Sequence, residues 1–315
     1  MSKPILCFYY LTYCCNARCS FCDIYQRESG FADSEMVKNH LKQLGSLGVR
    51  YIDFTGGEPL LHPDLPSLLQ EADRCGMHTS ITTNCILYPK MARDLKGLVD
   101  ILHFSLDSAD KAQHDELRGA PCFDKVLESI DTALNLNERP DLLMTVTRDN
   151  FDQIEPLLKI AAEHKLVLVL NPIFDYRNQR EPNRELAKRL MEITPRKYLY
   201  NNTAFLKMIL QGGNDPQKPR CKAVSSTIAV SPEGELLLPC YHHAVDKLSL
   251  DDGIAAARET STFKQALQNE GRYSFCAGCV INCYFDPSFI YTVDELFLRS
   301  IMAKAKYVID KFLTS

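Results

Sequence analysis

Cys15, Cys19 and Cys22 stand at C-x3-C-x2-C spacing, with Phe21 directly before the last cysteine and an apolar run at 5–11 leading in. The informative count is three thiols and not four. Iron–sulfur cubanes that only carry electrons are closed by four thiolates. A cubane held by three leaves one iron open, able to bind a small molecule and pass it an electron. The same open position separates catalytic from structural metal sites. Two other readings of these residues stay open. Cys14 precedes Cys15 and as a ligand would give C-x4-C-x2-C. Cys19 and Cys22 alone form a C-x2-C pair, which is equally half of a zinc site.

A second segment, Thr55-Gly56-Gly57-Glu58-Pro59, directly follows an apolar run at 51–54. Taken alone it is a tight strand-to-helix turn. Glycines also let a backbone approach a ligand closely, and ligand loops of β/α folds sit at the carboxyl ends of strands. Thr83-Asn84-Cys85, Ser105-Leu106-Asp107 and His114-Asp115-Glu116-Leu117-Arg118-Gly119 follow in the same relation to later segments. Each of these three, by itself, also fits a helix cap or a surface ion pair.

Together the segments resemble the radical S-adenosylmethionine (SAM) superfamily. The resemblance implies a [4Fe-4S] cluster on Cys15, Cys19 and Cys22 whose open iron chelates the amino and carboxylate groups of SAM. It implies that Gly56, Gly57, Glu58 and Pro59 hold the methionine amino group, with Phe21 beside the cluster. Asn84 falls where these enzymes carry Ser/Thr-Asn-Gly, with Cys85 in place of the glycine. Ser105 and Asp107 match a segment whose hydroxyl meets the SAM ribose or carboxylate. Arg118 matches an arginine that pairs with the methionine carboxylate, a task suited to a planar guanidinium. The implied chemistry is reductive cleavage of SAM to a 5′-deoxyadenosyl radical, which takes hydrogen from an unactivated C–H bond. An electron donor such as flavodoxin or ferredoxin is implied as partner. The protein's share is orientation and exclusion of water.

A second cysteine group, Cys221, Cys240, Cys276, Cys279 and Cys283, surrounds a hairpin signal near the C-terminus. It resembles the twitch domain, and more loosely the SPASM domain, extensions that carry auxiliary clusters. Five thiols do not close two four-iron clusters, so one second [4Fe-4S] cluster is expected. The twitch-like order assigns Cys221, Cys240, Cys276 and Cys279 as ligands, with Cys283 a spare or a replacement. Four cysteines paired around a hairpin also describe a zinc ribbon. Tyr241, His242 and His243 follow one candidate ligand and are candidates for a catalytic base, although adjacent histidines are more often packing residues. Cys7, Cys14, Cys75, Cys85 and Cys122 have no motif around them and read as free buried thiols.

The elements that must position these residues follow from periodicity. Apolar runs at 5–11, 51–54, 79–82, 101–105, 143–147 and 166–170 alternate with helical patterns such as Leu65, Leu68, Leu69 and Ala72. Six β/α repeats give a doubly wound sheet or a partial barrel, and the resemblance selects an α/β partial (β/α)6 TIM-like barrel. The expected division is a core at 1–195, a helical connection and linker at 196–216, and a small hairpin-and-helix auxiliary domain at 217–315. Within 173–195, Arg177, Arg180, Arg184, Lys188 and Arg189 interleave with Glu181 and Glu185 as a solvated helix face. Residues 196–211 read as a helix and 212–216 as a linker. A hairpin is expected from 227–230 and 235–238. A last amphipathic helix carries Val293, Leu296, Phe297, Ile301, Ala305, Val308 and Phe312 on one face.

Composition narrows the function classes. The chain has 315 residues, 45% of them hydrophobic, and a formal net charge of -4, which argues against nucleic acid or an anionic membrane as partner. No apolar stretch approaches the ~20 residues of a membrane span, and no secretory signal is visible. Thirteen cysteines without such a signal point to metal or cluster binding in a reducing cytoplasm. The leading expectation is an oxidoreductase acting on a C–H bond of a small or ring-bearing metabolite, with the auxiliary cluster taking the second electron. The rivals are a ribosomal-peptide maturase and a non-enzymatic zinc-binding module; the first often carries a leader-recognition domain, for which residues before Cys15 leave no room.

Overall fold

The computed structural model describes residues 3–174 and 183–313, so Arg177, Arg180 and Glu181 lie outside the described residues. In chain order the strands and first helices are β1 (Leu6–Thr12), α1 (Ser34–Leu47), β2 (Tyr51–Gly56), α2 (Leu65–Arg74), β3 (His78–Thr83), α3 (Tyr88–Leu95), β4 (Ile101–Ser105), α4 (Lys111–Arg118) and α5 (Phe123–Asn135). Then come β5 (Asp141–Val146), α6 (Ile154–Glu163), β6 (Leu168–Pro172), β7 (Leu199–Tyr200), β8 (Thr227–Val230), β9 (Glu235–Leu238) and β10 (Asp246–Ser249). All eight strands expected from the sequence are present within two residues at each end, and β7 and β10 were not foreseen. The helix expected over 196–211 gives way to β7 and a shorter helix, Thr203–Leu210, capped by Asn202.

Packing divides the chain into two compact units that do not follow sequence order. The first holds residues 1–105, 110–140 and 224–268; the second holds 106–109, 141–223 and 269–315. In the first unit the strands run in the order β10-β9-β8-β1-β2-β3-β4. β1 to β4 are parallel, and β8 pairs in parallel with β1, Leu6 against Thr227. The hairpin expected in an auxiliary domain therefore extends the barrel sheet and covers what would otherwise be an edge strand. Nothing in four residues of alternation names the partner strand.

Two faces of this sheet differ in chemistry. Cys7, Tyr9, Leu11, Ile52, Phe54, Ile81 and Phe104 are fully buried on the helix side, and the Tyr9 hydroxyl shares a 2.8 Å hydrogen bond with His40 Nδ1 of α1. α1 offers Val37, Leu41 and Leu44 to that layer, and each such side chain contributes about 1.5–3 kcal/mol by burial. The opposite, inner face carries Phe8, Tyr10, Asp53, Thr55, Ser80, Thr82 and His103. Register places Phe8, Asp53 and Ser80 in one row and pairs Thr82 with His103.

The second unit pairs β5, β6 and β7 in parallel, and α6 buries Ile154, Leu157, Leu158 and Ala161. Its C-terminal helix, Glu295–Val308, is capped by the Asp294 side chain. The expected apolar face of this helix does not point inward. Val293 is 81% exposed, and Ile301, Val308 and Phe312 are exposed as well, while Ser300, Asp310 and Lys311 are buried. The helix is held by polar contacts. Lys311 Nζ lies 2.8 Å from Asp141 Oδ2, the Tyr307 hydroxyl donates to the same oxygen at 2.6 Å, and the Tyr198 N–H donates to Asp310.

Removing one member of a buried ion pair strands the other charge, at a cost of about 3–5 kcal/mol. Lys311→Met should lower stability by that amount in urea unfolding. A loss below about 1 kcal/mol would show that the C-terminal helix is held by other contacts.

Candidate active site

The cysteine loop leaves the end of β1 and is fixed first by glycine. Gly57 N donates to Thr12 O at 2.8 Å, and Glu58 N donates to Cys14 O at 2.9 Å. A Cβ on Gly57 would stand 1.9 Å from Cys14 O, and one on Gly56, at φ +137°, would stand 2.0 Å from Thr12 O. The glycine pair thus serves a backbone-to-backbone contact within the chain. Cys14 itself points back, its thiol donating to Ser29 O.

Within the loop, Cys22 N donates to Cys19 O at 3.1 Å and closes the C-x2-C turn. Ala17 N donates to Cys15 Sγ at 3.4 Å, and Ile24 N donates to the Cys22 thiol. Burial pushes the Cys15 thiol up to about 11, partly offset by the Ala17 N–H. The Cys22 thiol is raised by burial too, against the pull of Ile24 N–H. These thiols ionise when a bound cation draws them to thiolate, and N–H groups aimed at sulfur support that form. Three half-buried free thiols, two of them accepting backbone N–H groups, form a donor set that fits a cubane with one open iron.

The His114–Gly119 segment clamps this loop from the other side. Arg18 N donates to Arg118 O at 3.0 Å and Ser20 N to Leu117 O at 2.9 Å. Gly119 (φ +58°) lies so close that an added Cβ would be 2.4 Å from Arg18 O. The guanidinium of Arg118 lies 5.5 Å over the Phe21 ring, with Nη1 3.9 Å from Cys19 Sγ. The rest of the motif holds the clamp in place. Asp115 Oδ1 accepts from Cys122 N and Phe123 N at the start of α5, and His114 Nε2 is 3.4 Å from Cys122 Sγ.

Glu58 is 2% exposed. Its carboxylate accepts from Asn84 N at 2.9 Å, Leu60 N at 3.2 Å and the Thr83 hydroxyl. Burial raises its carboxyl to about 7, with those donors pulling the other way. This side chain, assigned by resemblance to the methionine amino group, bridges the ends of β2 and β3 through these bonds. Asn84 donates to Asn16 Oδ1 at 2.6 Å and reaches Cys15 Sγ at 4.0 Å. Cys85, standing where a glycine was expected, keeps the left-handed backbone at φ +68°. Pro59 opens a short 3-10 turn. Ser105 is buried at the end of β4. Asp107 is fully buried in the second unit, where its Oδ1 accepts from Thr145 N and its carbonyl from Asn150 Nδ2.

Among the later cysteines, Cys221, Cys276, Cys279 and Cys283 lie in the second unit, and Cys240 follows β9 by two residues in the first. A residue with no motif organises the second-unit group. Asn214, expected in a linker, is 2% exposed. Its Nδ2 donates to Gly271 O at 2.8 Å and Cys276 O at 3.1 Å. Its Oδ1 accepts from Arg220 N and Cys221 N, and its backbone exchanges bonds with Gly278 N and Cys279 O. Cys279 N donates to Cys276 O and the Cys279 thiol accepts from Ile281 N, repeating the Cys19–Cys22 turn. The signal for this hub was the helix-to-Gly-Gly-Asn step, which also reads as an ordinary loop. Cys283 sits in the helix Asn282–Ser288. In the first unit Tyr241 stacks on Tyr10 at 4.0 Å under the Arg27 guanidinium. Burial, His243 and Arg27 lower the basicity of His242 to about 3, which keeps it neutral.

Residues 9–161 match the Radical SAM superfamily. The GTP 3′,8-cyclase of Clostridium acetobutylicum is 29% identical over 215 residues, 63% of this chain and 67% of its own. Two solved structures share the fold. One is anSMEcpe with bound AdoMet and the Kp18Cys peptide, at TM-score 0.68 and 17% identity over 96% of this chain and 99% of that one. The other is SuiB of Streptococcus suis bound to its precursor peptide SuiA, at TM-score 0.62 and 18% identity over 94% and 76%. The fold is therefore the partial β/α barrel that the sequence led one to expect.

Two substitutions test the clamp and the hub. Gly119→Ala adds about 1–2 kcal/mol of left-handed strain to a clash with Arg18 O, and should lower anaerobic iron loading by about four per chain. Full loading would show that the clamp is dispensable. Asn214→Ala strands buried N–H and C=O groups at about 1–3 kcal/mol each, and should lower the thermal midpoint and metal content together; unchanged metal content would remove Asn214 from the second site.

Proposed function

This chain belongs to the radical SAM superfamily, and from that premise we propose that it cleaves SAM reductively and oxidises a C–H bond of an organic substrate, handing the second electron to an auxiliary cluster. The observation that carries the reading is the repeated C-x2-C turn, once in the clamped Cys15–Cys22 loop and once around Asn214. Cys15, Cys19 and Cys22 would hold the SAM-binding cluster. Cys221, Cys276 and Cys279 would hold the second, with Cys283 of the same unit as the fourth thiolate. When bound, the cluster and SAM supply one electron and a 5′-deoxyadenosyl radical able to take hydrogen from carbon.

The chain's own residues then do positional work. The glycine pair fixes the loop against β2, and Arg118, already beside Cys19 and Phe21, offers the methionine carboxylate a cation with planar donors. Glu58 and Asn84 keep the ends of β2 and β3 in register with the loop. Tyr10, Tyr13, Tyr241 and Arg27 form an aromatic and cation–π cluster in the same unit. His242, held neutral by burial, is a weak base there and serves packing beside Tyr241.

A second reading is favoured by the identity with a GTP 3′,8-cyclase: cyclisation of GTP, in which the substrate radical closes a ring. Anaerobic incubation separates the two. With a deuterated substrate, the oxidative reading expects one 5′-deoxyadenosine per product, with deuterium retained in it. Consumption of GTP to a cyclised product would replace that reading. Iron analysis should give about eight per chain, and Cys276→Ser with Cys279→Ser about four, with SAM cleavage continuing without product. Four irons with stoichiometric zinc in the wild type would make the second site a zinc knuckle and end the electron-acceptor argument.

A further inference from the structure

Asp53 lies in the middle of β2 on the inner face of the first unit's sheet, between Phe8 of β1 and Ser80 of β3. A carboxylate is a costly group to place there unless each oxygen has a donor. The Ser80 hydroxyl bonds it and His103 lies near enough to act on it electrostatically, yet Oδ1 is shielded from solvent and has no hydrogen-bond partner among the described residues. Burial raises its carboxyl to about 6, with the Ser80 hydroxyl pulling the other way, and Oδ1 lacks a donor among the described residues. One row further along, Thr82 Oγ1 and His103 Nδ1 lie 3.4 Å apart. On β1 to β4 the inner face carries no lysine or arginine.

Ligands of β/α barrels bind at the carboxyl ends of the strands, three residues beyond Asp53 on β2, and a buried group built to hydrogen-bond a ligand strongly rejects one that cannot reply. We propose that Asp53 is a specificity-determining residue whose open Oδ1 receives an N–H or O–H of the substrate, so that the substrate enters this sheet face with a neutral or cationic donor group and not with phosphate. The inference rests on the SAM-dependent reading above and deepens it by naming the substrate class. It separates this chain from the activity of its GTP 3′,8-cyclase relative. A triphosphate laid against Asp53 would meet a carboxylate on strands that carry no lysine or arginine, and like charges brought together out of water repel strongly.

The test is equilibrium dialysis of the anaerobically loaded, SAM-bound protein and its Asp53→Asn variant. The panel comprises amino sugars, amino acids, nucleosides, short peptides and GTP. Asn keeps the size of Asp53 and removes its charge, and circular dichroism with iron analysis confirms that the variant is folded and loaded. The expected result is retention of a donor-bearing, phosphate-free class by the wild type, weakened about tenfold or more in the variant. GTP retained by the wild type would overturn the proposal, and so would a panel that fails to distinguish the two proteins. SAM cleavage by the wild type in the same preparation reports separately on the radical reading, so loss of that reading is told apart from loss of this one.

Discussion

The contact on which the rest depends is a pair of backbone hydrogen bonds, from Gly57 N to Thr12 O and from Glu58 N to Cys14 O. They close the end of β2 on the loop that leaves β1, at a separation that excludes any side chain on Gly56 or Gly57. Once that seam is closed, Cys15 is one residue from a fixed point. The Arg18 and Ser20 amides then meet the carbonyls of Arg118 and Leu117, and the loop is held from both sides. A three-thiol site needs such support more than a four-thiol site does. The missing ligand removes one of the constraints a closed site would impose, and orientation has to come from the backbone around it.

The electrostatics follow from the same closure. Burial disfavours charge on Cys15, Cys22 and Glu58 alike, the usual effect of taking an acid out of water. The remedies differ. Glu58 is supplied with three internal donors, so it behaves as a brace. Cys15 and Cys22 each receive one backbone N–H group, which favours thiolate without securing it, and they remain receptive to cationic iron. Asp53 receives less still, and its surplus acceptor faces the interior of the sheet.

Much of this was legible in the sequence because the motifs are local. The C-x3-C-x2-C loop, the Gly-Gly-Glu-Pro turn and the His-Asp-x-x-Arg-Gly segment each put their residues within a few positions of one another, and the parallel strands announced themselves as apolar runs. Three things were not legible, each because the deciding partner is distant in the chain. The β8 hairpin pairs with β1 more than two hundred residues away. Asn214 looked like a linker residue because its role is set by Gly271 and Cys276. The last helix turns its apolar stripe outward because Asp141, far upstream, draws Lys311 and Tyr307 inward, and a buried, multiply bonded carboxylate outweighs amphipathic periodicity. Cys85 is the instructive intermediate. The departure from glycine was visible, but its left-handed backbone was not.

The interleaving of the two units has a consequence for modularity. The stretch 224–268 belongs with the N-terminal strands, whereas the sequences on either side of it belong to the second unit. The C-terminal third is thus no cassette that recombination can append or exchange at a single junction. A gene fragment ending before β8 would leave β1 as a bare parallel edge, open to pairing with other chains. A truncation or fusion that keeps the first unit whole has to carry 224–268 together with the N-terminal strands.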